Sequence, residues 1–399
     1  MSATPPGFGV AQHAVLIGID GIPPWVLNNA ISSGSAPALA ALRRRGAWSD
    51  DVRATQPSSS LSNWASILTG APPEWHGVHT AAQSNKPTFP VRPATYPAGT
   101  IWPNMFTSAR EARSNASTGA YFSWPPLGSL LGQSDGLNAS VLRACSSCEK
   151  CQTAEATLVA DFVHALKKQR HLLSWLYLDV LDECGHRYGA LDREQYAPLV
   201  AMVDSWLGRV LRALHAAKMM RSTLVLVLSD HGRAAPDFKQ HGGFTTDEMA
   251  VPWILSGVGV REGISLRWPI SSTDAAPTLL HALGITPPVQ MHGRAVLEAF
   301  EGFEAVINGV GWRVRAASTR NQTAHTRGAR HVAASGASGG GAAARAVSAS
   351  GHGMSLGAVV GGGAALLLLA VLVYPFASRA LRRGGGISTG FAPGYVPRG

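Results

Sequence analysis

The sequence is poor in the residues that build disulfide scaffolds or nucleic-acid-binding surfaces. Only four of its 399 residues are cysteines, which is too few for a disulfide-rich scaffold. Acidic residues and lysine are both absent after Glu304, where ten arginines account for the whole formal net charge of +10. Residues 1–304 are therefore neutral overall, and we expect no nucleic-acid-binding surface.

The chain also lacks an apolar signal-peptide core near its start, since MSATPPGFGVAQH leads almost directly into a strand-like run. Near the other end, residues 354–377 contain GAVVGGGAALLLLAVLVYPFA, long enough for one helical membrane crossing of about 20 residues. Arg379, Arg382 and Arg383 follow this run, and the positive-inside rule places them in the cytosol. The chain is thus predicted to be a single-pass membrane protein with its larger part outside the cytosol or in a lumen.

The sequence leaves the side of the membrane open. Three N-x-S/T sequons, at Asn115, Asn138 and Asn321, favour an extracellular or lumenal glycoprotein. The missing signal core instead favours a tail-anchored protein in the cytosol. We predict a folded domain over residues 1–312, a flexible Ala/Gly/Ser/Arg-rich stalk over 313–353, a transmembrane helix over 354–377 and a short basic tail over 378–399.

The four cysteines permit several structures. Cys145, Cys148 and Cys151 form a CxxCxxC cluster, and Cys184 lies further along the chain. Two disulfides, a metal knuckle and free thiols are all compatible with this spacing.

Three apolar runs each end in an aspartate and predict the fold. AVLIGID ends at Asp20, SWLYLDVLD at Asp182 and TLVLVLSD at Asp230. Such runs are typical of strands buried on both faces, and the helical patterns between them predict a doubly wound α/β fold. We expect a mainly parallel central sheet with helices on both faces. Because ligands gather at the carboxyl ends of such strands, the three aspartates are candidates for one site.

Histidines follow two of these aspartates and extend the candidate site. His186 lies four residues after Asp182, His231 follows Asp230 directly, and His241 lies in QHGG. Aspartate and neutral histidine are common ligands of Zn²⁺ and related ions, and six such side chains suffice for two three-ligand sites. A single aspartate at a strand end is more often a turn or cap residue, but six clustered ligands are not explained that way.

A serine-rich loop, QPSSSLSNWASILTGAPPEWHG, runs into a helix predicted to begin near Leu61. A serine there is by default an N-cap, but a helix N-terminus also binds anions such as phosphate. A metal ion would activate the serine hydroxyl as a nucleophile.

The ordered motifs IGIDG, SSSLSNWASILTG, DECGHRYG, SDHG, QHGG and EMAVPWILSG resemble the alkaline phosphatase superfamily, and the resemblance covers roughly residues 13–300. The likeness is greatest to its type I phosphodiesterase/nucleotide pyrophosphatase branch. It implies two divalent metal ions, expected to be zinc. It also implies Ser60 as the nucleophile, because the family places its nucleophile three residues before an asparagine, which here is Asn63. That asparagine would donate to a phosphate oxygen. The implied ligands are Asp20, Asp230, His231 and Ser60 for one ion, and Asp182, His186 and His241 for the other.

The sequence departs from this family in places. Many relatives have Thr as nucleophile and Pro-Asn-His where this chain has Ser62, Asn63 and Trp64, so substrate preference cannot be transferred. His292 is an alternative to His241 as the third ligand of the second metal ion. The Cys/Ser-x-Pro-x-Arg signature of sulfatases is missing after Ser60, which disfavours sulfatase activity.

The sequence therefore predicts hydrolysis of phosphodiester or pyrophosphate bonds through a phospho-Ser60 intermediate. Alternatives are a phosphomonoesterase, a phosphoethanolamine-type transferase and, least favoured, a catalytically dead surface-binding protein. The expected substrate is a phosphate-ester small molecule or a lipid head group. Phe122 or Trp124, in a segment without clear periodicity, could line its pocket or simply pack in a loop.

Overall fold

In the part of the chain that the structure describes, an eight-stranded sheet forms the central layer. The computed structural model describes residues 4–78, 102–132, 136–307 and 310–313. The strands of the sheet are β1 (His13–Ile19), β2 (Gly46–Arg53), β3 (Thr118–Phe122), β4 (Ala139–Leu142), β5 (Leu173–Leu178), β6 (Thr223–Leu228), β7 (Ala250–Gly257) and β8 (Ile264–Ser265). A separate antiparallel pair consists of β9 (Glu304–Ile307) and β10 (Val310–Arg313).

The strand order in the sheet is β4-β3-β5-β1-β6-β7-β2-β8. The five strands from β4 to β6 are parallel, β7 runs antiparallel to both β6 and β2, and β2 is parallel to β8. The prediction of a mainly parallel sheet is confirmed, with β7 as the exception. The carboxyl ends of β5, β1 and β6 consequently lie side by side.

Helices cover both faces of the sheet, as predicted. Along β1 the side chains alternate between two apolar clusters. Leu16 packs in the cluster that also contains Trp64 and Leu279, and Val15 packs in the cluster that contains Phe162 and Leu207. The helices are α1 (Pro24–Ser32), α2 (Pro37–Arg44), α3 (Ser60–Thr69), α4 (Pro73–His76), α5 (Met105–Ala112), α6 (Cys148–Lys168), α7 (Val180–Tyr188), α8 (Ala197–Ala216), α9 (Thr246–Met249) and α10 (Ala275–Ala282).

Two disulfides settle the question that the cysteine spacing left open. Cys145 is bonded to Cys151, and Cys148 is bonded to Cys184. The cluster is therefore neither a metal knuckle nor a set of free thiols. The second disulfide joins the first residue of α6 to the middle of α7.

Within the described residues, no helix has the length and apolar character needed to cross a membrane. The predicted span at 354–377 and the predicted tail at 378–399 lie outside the described residues. So does the predicted stalk at 313–353, apart from Arg313, which ends β10. These segments stay predictions.

Candidate active site

Three neighbouring strands deliver the three predicted aspartates to one edge of the sheet. Asp20 directly follows β1, and Asp230 lies two residues beyond β6. Asp182 lies in the first turn of α7, because β5 ends at Leu178 and the helix begins at Val180. The site thus occupies the carboxyl ends of parallel strands, as expected for this class of fold.

Asp20, Asp230 and His231 form what we call the first ligand group. All three side chains are buried, and their ligand atoms lie within 4.8 Å of one another. His231 Nε2 is 3.3 Å from Asp20 Oδ1 and 3.4 Å from Asp230 Oδ2. Those two carboxylate oxygens are buried and accept no hydrogen bond. Because a buried charged oxygen without a partner is costly, this arrangement fits a bound cation.

Neighbouring donors orient these carboxylates. Trp64 Nε1 donates to Asp20 Oδ2 at 2.9 Å, and the hydroxyl of Tyr177 donates to the same oxygen at 2.6 Å. The backbone N–H of Gly21 donates to Asp230 Oδ1 at 3.2 Å. In each carboxylate one oxygen is therefore held by the protein and the other faces the cluster. The sequence motifs do not indicate Trp64 or Tyr177 as site residues, although Trp64 stands where many relatives have histidine.

The electrostatics of the first ligand group favour added positive charge. Burial, and then the charge of Asp20, raises the pKa of Asp230 well above its ordinary value. Burial opposes a charged imidazole at His231, but the carboxylates of Asp230 and Asp20 outweigh it and raise the pKa of His231 to about 10. His231 Nδ1 donates to the carbonyl of Gly232 at 2.9 Å, so Nε2 faces the carboxylates. A divalent ion would supply the positive charge in place of a proton.

Asp182, His186 and His241 form the second ligand group, again with ligand atoms within 4.8 Å of one another. His186 Nε2 lies 3.1 Å from Asp182 Oδ2 and 3.2 Å from His241 Nε2. His241 Nδ1 donates to the carbonyl of Ser58 at 3.1 Å, which leaves the Nε2 lone pair facing His186. Two imidazole nitrogens facing each other beside a carboxylate are a suitable donor set for a divalent metal.

His292, the alternative to His241, is not part of either group. Its ring instead packs on Trp75, with ring centroids 4.3 Å apart. The ring of His241 stacks on that of His231 at 3.7 Å, so the second ligand group lies directly beside the first. The structure therefore brings together all six predicted Asp and His residues, in the two predicted sets. Their role as metal ligands stays a prediction.

Ser60 is the serine of the loop that faces the ligand groups. Its Oγ lies 3.1 Å from His231 Nε2, at the first residue of α3. Ser58 Oγ instead donates to the carbonyl of Gly243, and the buried Ser59 Oγ accepts and donates no hydrogen bond. The geometry thus agrees with the selection of Ser60 over its neighbours.

Asn63 does not occupy the predicted position of a donor to a phosphate oxygen. Its side chain is fully buried, and its amide group donates to the carbonyls of Thr55, Pro57 and Ser59 at 3.2, 2.9 and 3.3 Å. Its Oδ1 accepts from the backbone N–H and the hydroxyl of Thr55. Because its donors are already used, Asn63 shapes the loop that presents Ser60.

A cavity of about 450 Å³ opens beside the two groups. Trp124 lines it, whereas Phe122 is buried and stacks on Trp175 in the core, so Trp124 is the better candidate for substrate contact. The other lining residues are Pro57, Ser59, Ser60, Asp179, Asp182, Glu183, His186, Gln240, His241 and Gly242. The described lining thus has acidic residues but no lysine or arginine.

Comparison with known proteins places this geometry in a family context. The sequence profile described as "Type I phosphodiesterase / nucleotide pyrophosphatase" matches residues 14–252. Human ectonucleotide pyrophosphatase/phosphodiesterase family member 1 is 24% identical over 217 residues, 52% of this chain and 22% of that protein. Human arylsulfatase K is 31% identical over 107 residues, 26% of this chain and 20% of that protein. The matches span about a fifth of the length of both relatives.

Solved structures show the same fold. Human ectonucleotide pyrophosphatase/phosphodiesterase 5 superimposes with a TM-score of 0.57 and 16% identity, over 73% of this chain and 100% of that one. At this identity the likeness concerns the fold alone.

Proposed function

We propose, from the premise that this chain belongs to the type I phosphodiesterase/nucleotide pyrophosphatase family, that it hydrolyses phosphodiester or pyrophosphate bonds through Ser60. The observation that carries the proposal is the position of Ser60 Oγ, 3.1 Å from His231 Nε2 in the first ligand group. A serine there is adjacent to six potential metal ligands and begins a helix whose N–H groups favour an anion.

The side chains of the site have separate roles. Asp20, Asp230 and His231 would hold one ion with Ser60, and Asp182, His186 and His241 would hold the other, both expected to be zinc. When bound, the two ions supply positive charge that activates a hydroxyl and neutralises a phosphoryl group. Ser60 Oγ forms a bond to phosphorus while the bond to the leaving group breaks. Water then attacks phosphorus, the bond between phosphorus and Ser60 Oγ breaks, and the remaining phosphate monoester is released with the Ser60 hydroxyl restored.

The assay must separate neighbouring ester classes, because the comparisons include both phosphodiesterases and sulfatases. The full chain would be assayed on bis-p-nitrophenyl phosphate, p-nitrophenyl phosphate, ATP and p-nitrophenyl sulfate, each with and without Zn²⁺. We expect turnover of the diester or of ATP above that of the monoester and the sulfate, and phosphate bound to Ser60 after rapid acid quench. Preferred cleavage of the sulfate ester, or turnover without covalent phosphate, would contradict the proposal.

Two alternatives are tested in the same experiment. A transferase would release product faster when an alcohol acceptor such as ethanolamine is added, whereas a hydrolase uses water alone. A catalytically dead binding protein would turn over none of the four esters while still binding metal. The natural substrate would be a phosphate-ester small molecule or a lipid head group.

We also propose that the catalytic domain faces the extracellular space or a lumen, anchored by residues 354–377. Two disulfides support this, because they persist in oxidising compartments. Two of the predicted glycan acceptors, Asn115 and Asn138, are exposed. A mobility shift on glycosidase treatment that is lost in Asn115→Gln/Asn138→Gln/Asn321→Gln would support it. Unglycosylated protein with free thiols in cells would contradict it.

A further inference from the structure

Arg233 is a fully buried cation that joins three segments around the candidate site. Its Nε donates to the carbonyl of Gly21 after β1 at 3.2 Å. Its Nη1 donates to the carbonyl of Lys239 at 2.8 Å, just before His241. Its Nη2 donates to the carbonyl of Asp182 in α7 at 2.6 Å. One side chain therefore connects the loop after β1, the start of α7 and the segment that carries His241.

Arg233 also binds the carboxylate of Asp182 directly. Nη2 lies 2.5 Å from Asp182 Oδ1, whereas the other oxygen, Oδ2, lies 3.1 Å from His186 Nε2. The guanidinium thus binds Oδ1, which lies 3.7 Å from His241 Nε2, and leaves Oδ2 directed at His186. An arginine has a rigid planar fork of donors, so it can fix both the backbone and the side chain of one residue.

Two glycines provide the space for this arginine. A Cβ at Gly185 would lie 2.3 Å from Arg233 Cζ, and a Cβ at Gly21 would lie 2.5 Å from Asp182 Oδ1. Glycine inside a helix costs about 1 kcal/mol relative to alanine, so Gly185 is unfavourable for α7 itself. Its presence is explained by close packing against the guanidinium.

We propose that Arg233 is a positioning residue for the second ligand group: it fixes the carboxylate of Asp182 in the orientation that directs Oδ2 at His186. The ligand that benefits is a divalent cation, and the inference rests on the proposed two-metal function. Partners behind a metal ligand alter metal affinity by about 10- to 100-fold when they are removed. Loss of Arg233 should therefore weaken one ion selectively, because the first ligand group has its own donors in Trp64 and Tyr177.

The test is calorimetric titration of the chelator-treated full chain with Zn²⁺ alone, with circular dichroism to verify folding. Wild type is expected to bind two ions. Arg233→Met should bind the first ion with unchanged affinity and the second at least about tenfold more weakly, and Arg233→Lys should recover part of the loss. Arg43→Met is the matched control, because Arg43 is also largely buried against a carboxylate, that of Asp50, yet contacts neither group. Wild-type affinity for both ions in Arg233→Met would overturn the inference, whereas fewer than two ions in wild type would contradict the proposed function.

A second variant keeps the arginine and removes only its space. Gly185→Ala should displace the guanidinium and weaken the second ion, with the first unchanged. In the Arg233→Met background, Gly185→Ala should reduce the affinity for the second ion much less, because the guanidinium is absent. The effects of the two substitutions on this affinity should therefore be non-additive. Full binding of the second ion by Gly185→Ala would overturn the inference even if Arg233→Met failed to fold.

Discussion

At the scale of single residues, three consecutive serines offer an internally controlled test of the nucleophile. Ser60→Ala is expected to lower kcat by about 10³-fold or more with metal content retained, because Asp20, Asp230 and His231 remain. Ser60→Thr should retain more activity, since the attacking oxygen survives. Turnover and metal content of the purified variants are the measurements.

Ser59→Ala is the control for this series, because the Ser59 hydroxyl is buried beside Ser60 without a hydrogen-bond partner. It should keep wild-type metal content and lose far less turnover than Ser60→Ala. If Ser60→Ala kept full turnover as well, Ser60 would be only the first residue of a helix, and the covalent mechanism would be wrong.

Glu155, which belongs to neither ligand group, makes the stability of the fold depend on pH. Burial raises its pKa to about 8, although Ser123 and the N–H groups of Asp179 and Val180 donate to it. Between its ordinary pKa near 4.5 and about 8, the folded state binds more protons than the unfolded state. The contribution of this group to stability is therefore present at low pH and is lost as pH rises through that window.

Glu155→Gln should accordingly flatten the fall in the free energy of unfolding between about pH 5 and pH 8, because glutamine does not titrate. Urea unfolding of both proteins across this range measures the difference. Parallel pH profiles for variant and wild type would show that Glu155 has an ordinary pKa.

At the scale of elements, α7 carries two of the three residues of the second ligand group and is held at several points. At the start of α7, the N–H groups of Asp179 and Val180 donate hydrogen bonds to Glu155. In the middle of α7, Cys184 is disulfide-bonded to Cys148 of α6. Cys184 lies between Asp182 and His186. The disulfide therefore contributes to the position of both ligands.

The two disulfides should consequently differ in effect. Cys148→Ser/Cys184→Ser removes a disulfide between residues 36 positions apart in sequence. Cys145→Ser/Cys151→Ser removes a disulfide between residues 6 positions apart. The loop-entropy relation gives about 4 and about 2 kcal/mol of lost stability, respectively. The first pair of substitutions should also weaken binding of the second ion, as judged by titration with Zn²⁺. Equal metal binding by both double variants would contradict a role for the disulfide in positioning α7.

The elements that the sequence predicted are those with strong local signals. β1, β5 and β6 are continuous apolar runs buried on both faces, and each leads into a site residue. β2 was missed because it is polar, GAWSDDVR, and irregular between Ser49 and Val52. β3 and β4 are short and lie in a stretch without periodicity. Their strand state depends on pairing with distant neighbours, which no local pattern contains.

The residues of the candidate site also differ in how far the sequence predicts them. Residues that follow strands or lie in short motifs were predicted, including the grouping into two sets of three. Arg233, Trp64 and Tyr177 were not, because their roles arise from packing between segments far apart in sequence. A motif identified Asn63, but as a donor to a phosphate oxygen. Only the structure shows that its amide group donates to loop carbonyls instead.

At the scale of the whole molecule, metal removal should reduce stability as well as activity. Without ions, one buried oxygen each of Asp20 and Asp230 accepts no hydrogen bond, so bound metal stabilises the folded state selectively. At a free metal concentration of a hundred times Kd, one site adds about 2.7 kcal/mol to the free energy of unfolding. Calorimetry should show a lower Tm after chelation and recovery on addition of Zn²⁺. An unchanged Tm would mean that these residues bind no metal.

The strand order has a consequence for synthesis on the ribosome. β2 (Gly46–Arg53) lies between β7 (Ala250–Gly257) and β8 (Ile264–Ser265), and β1 lies between β5 and β6. The first two strands thus emerge long before the strands that pair with them, at a synthesis rate of about 5–20 residues per second. During those seconds their backbone edges and apolar faces are exposed to other nascent chains. A chain that stops before Ala250 would leave β2 unpaired, so premature termination should produce aggregates in place of smaller folded fragments.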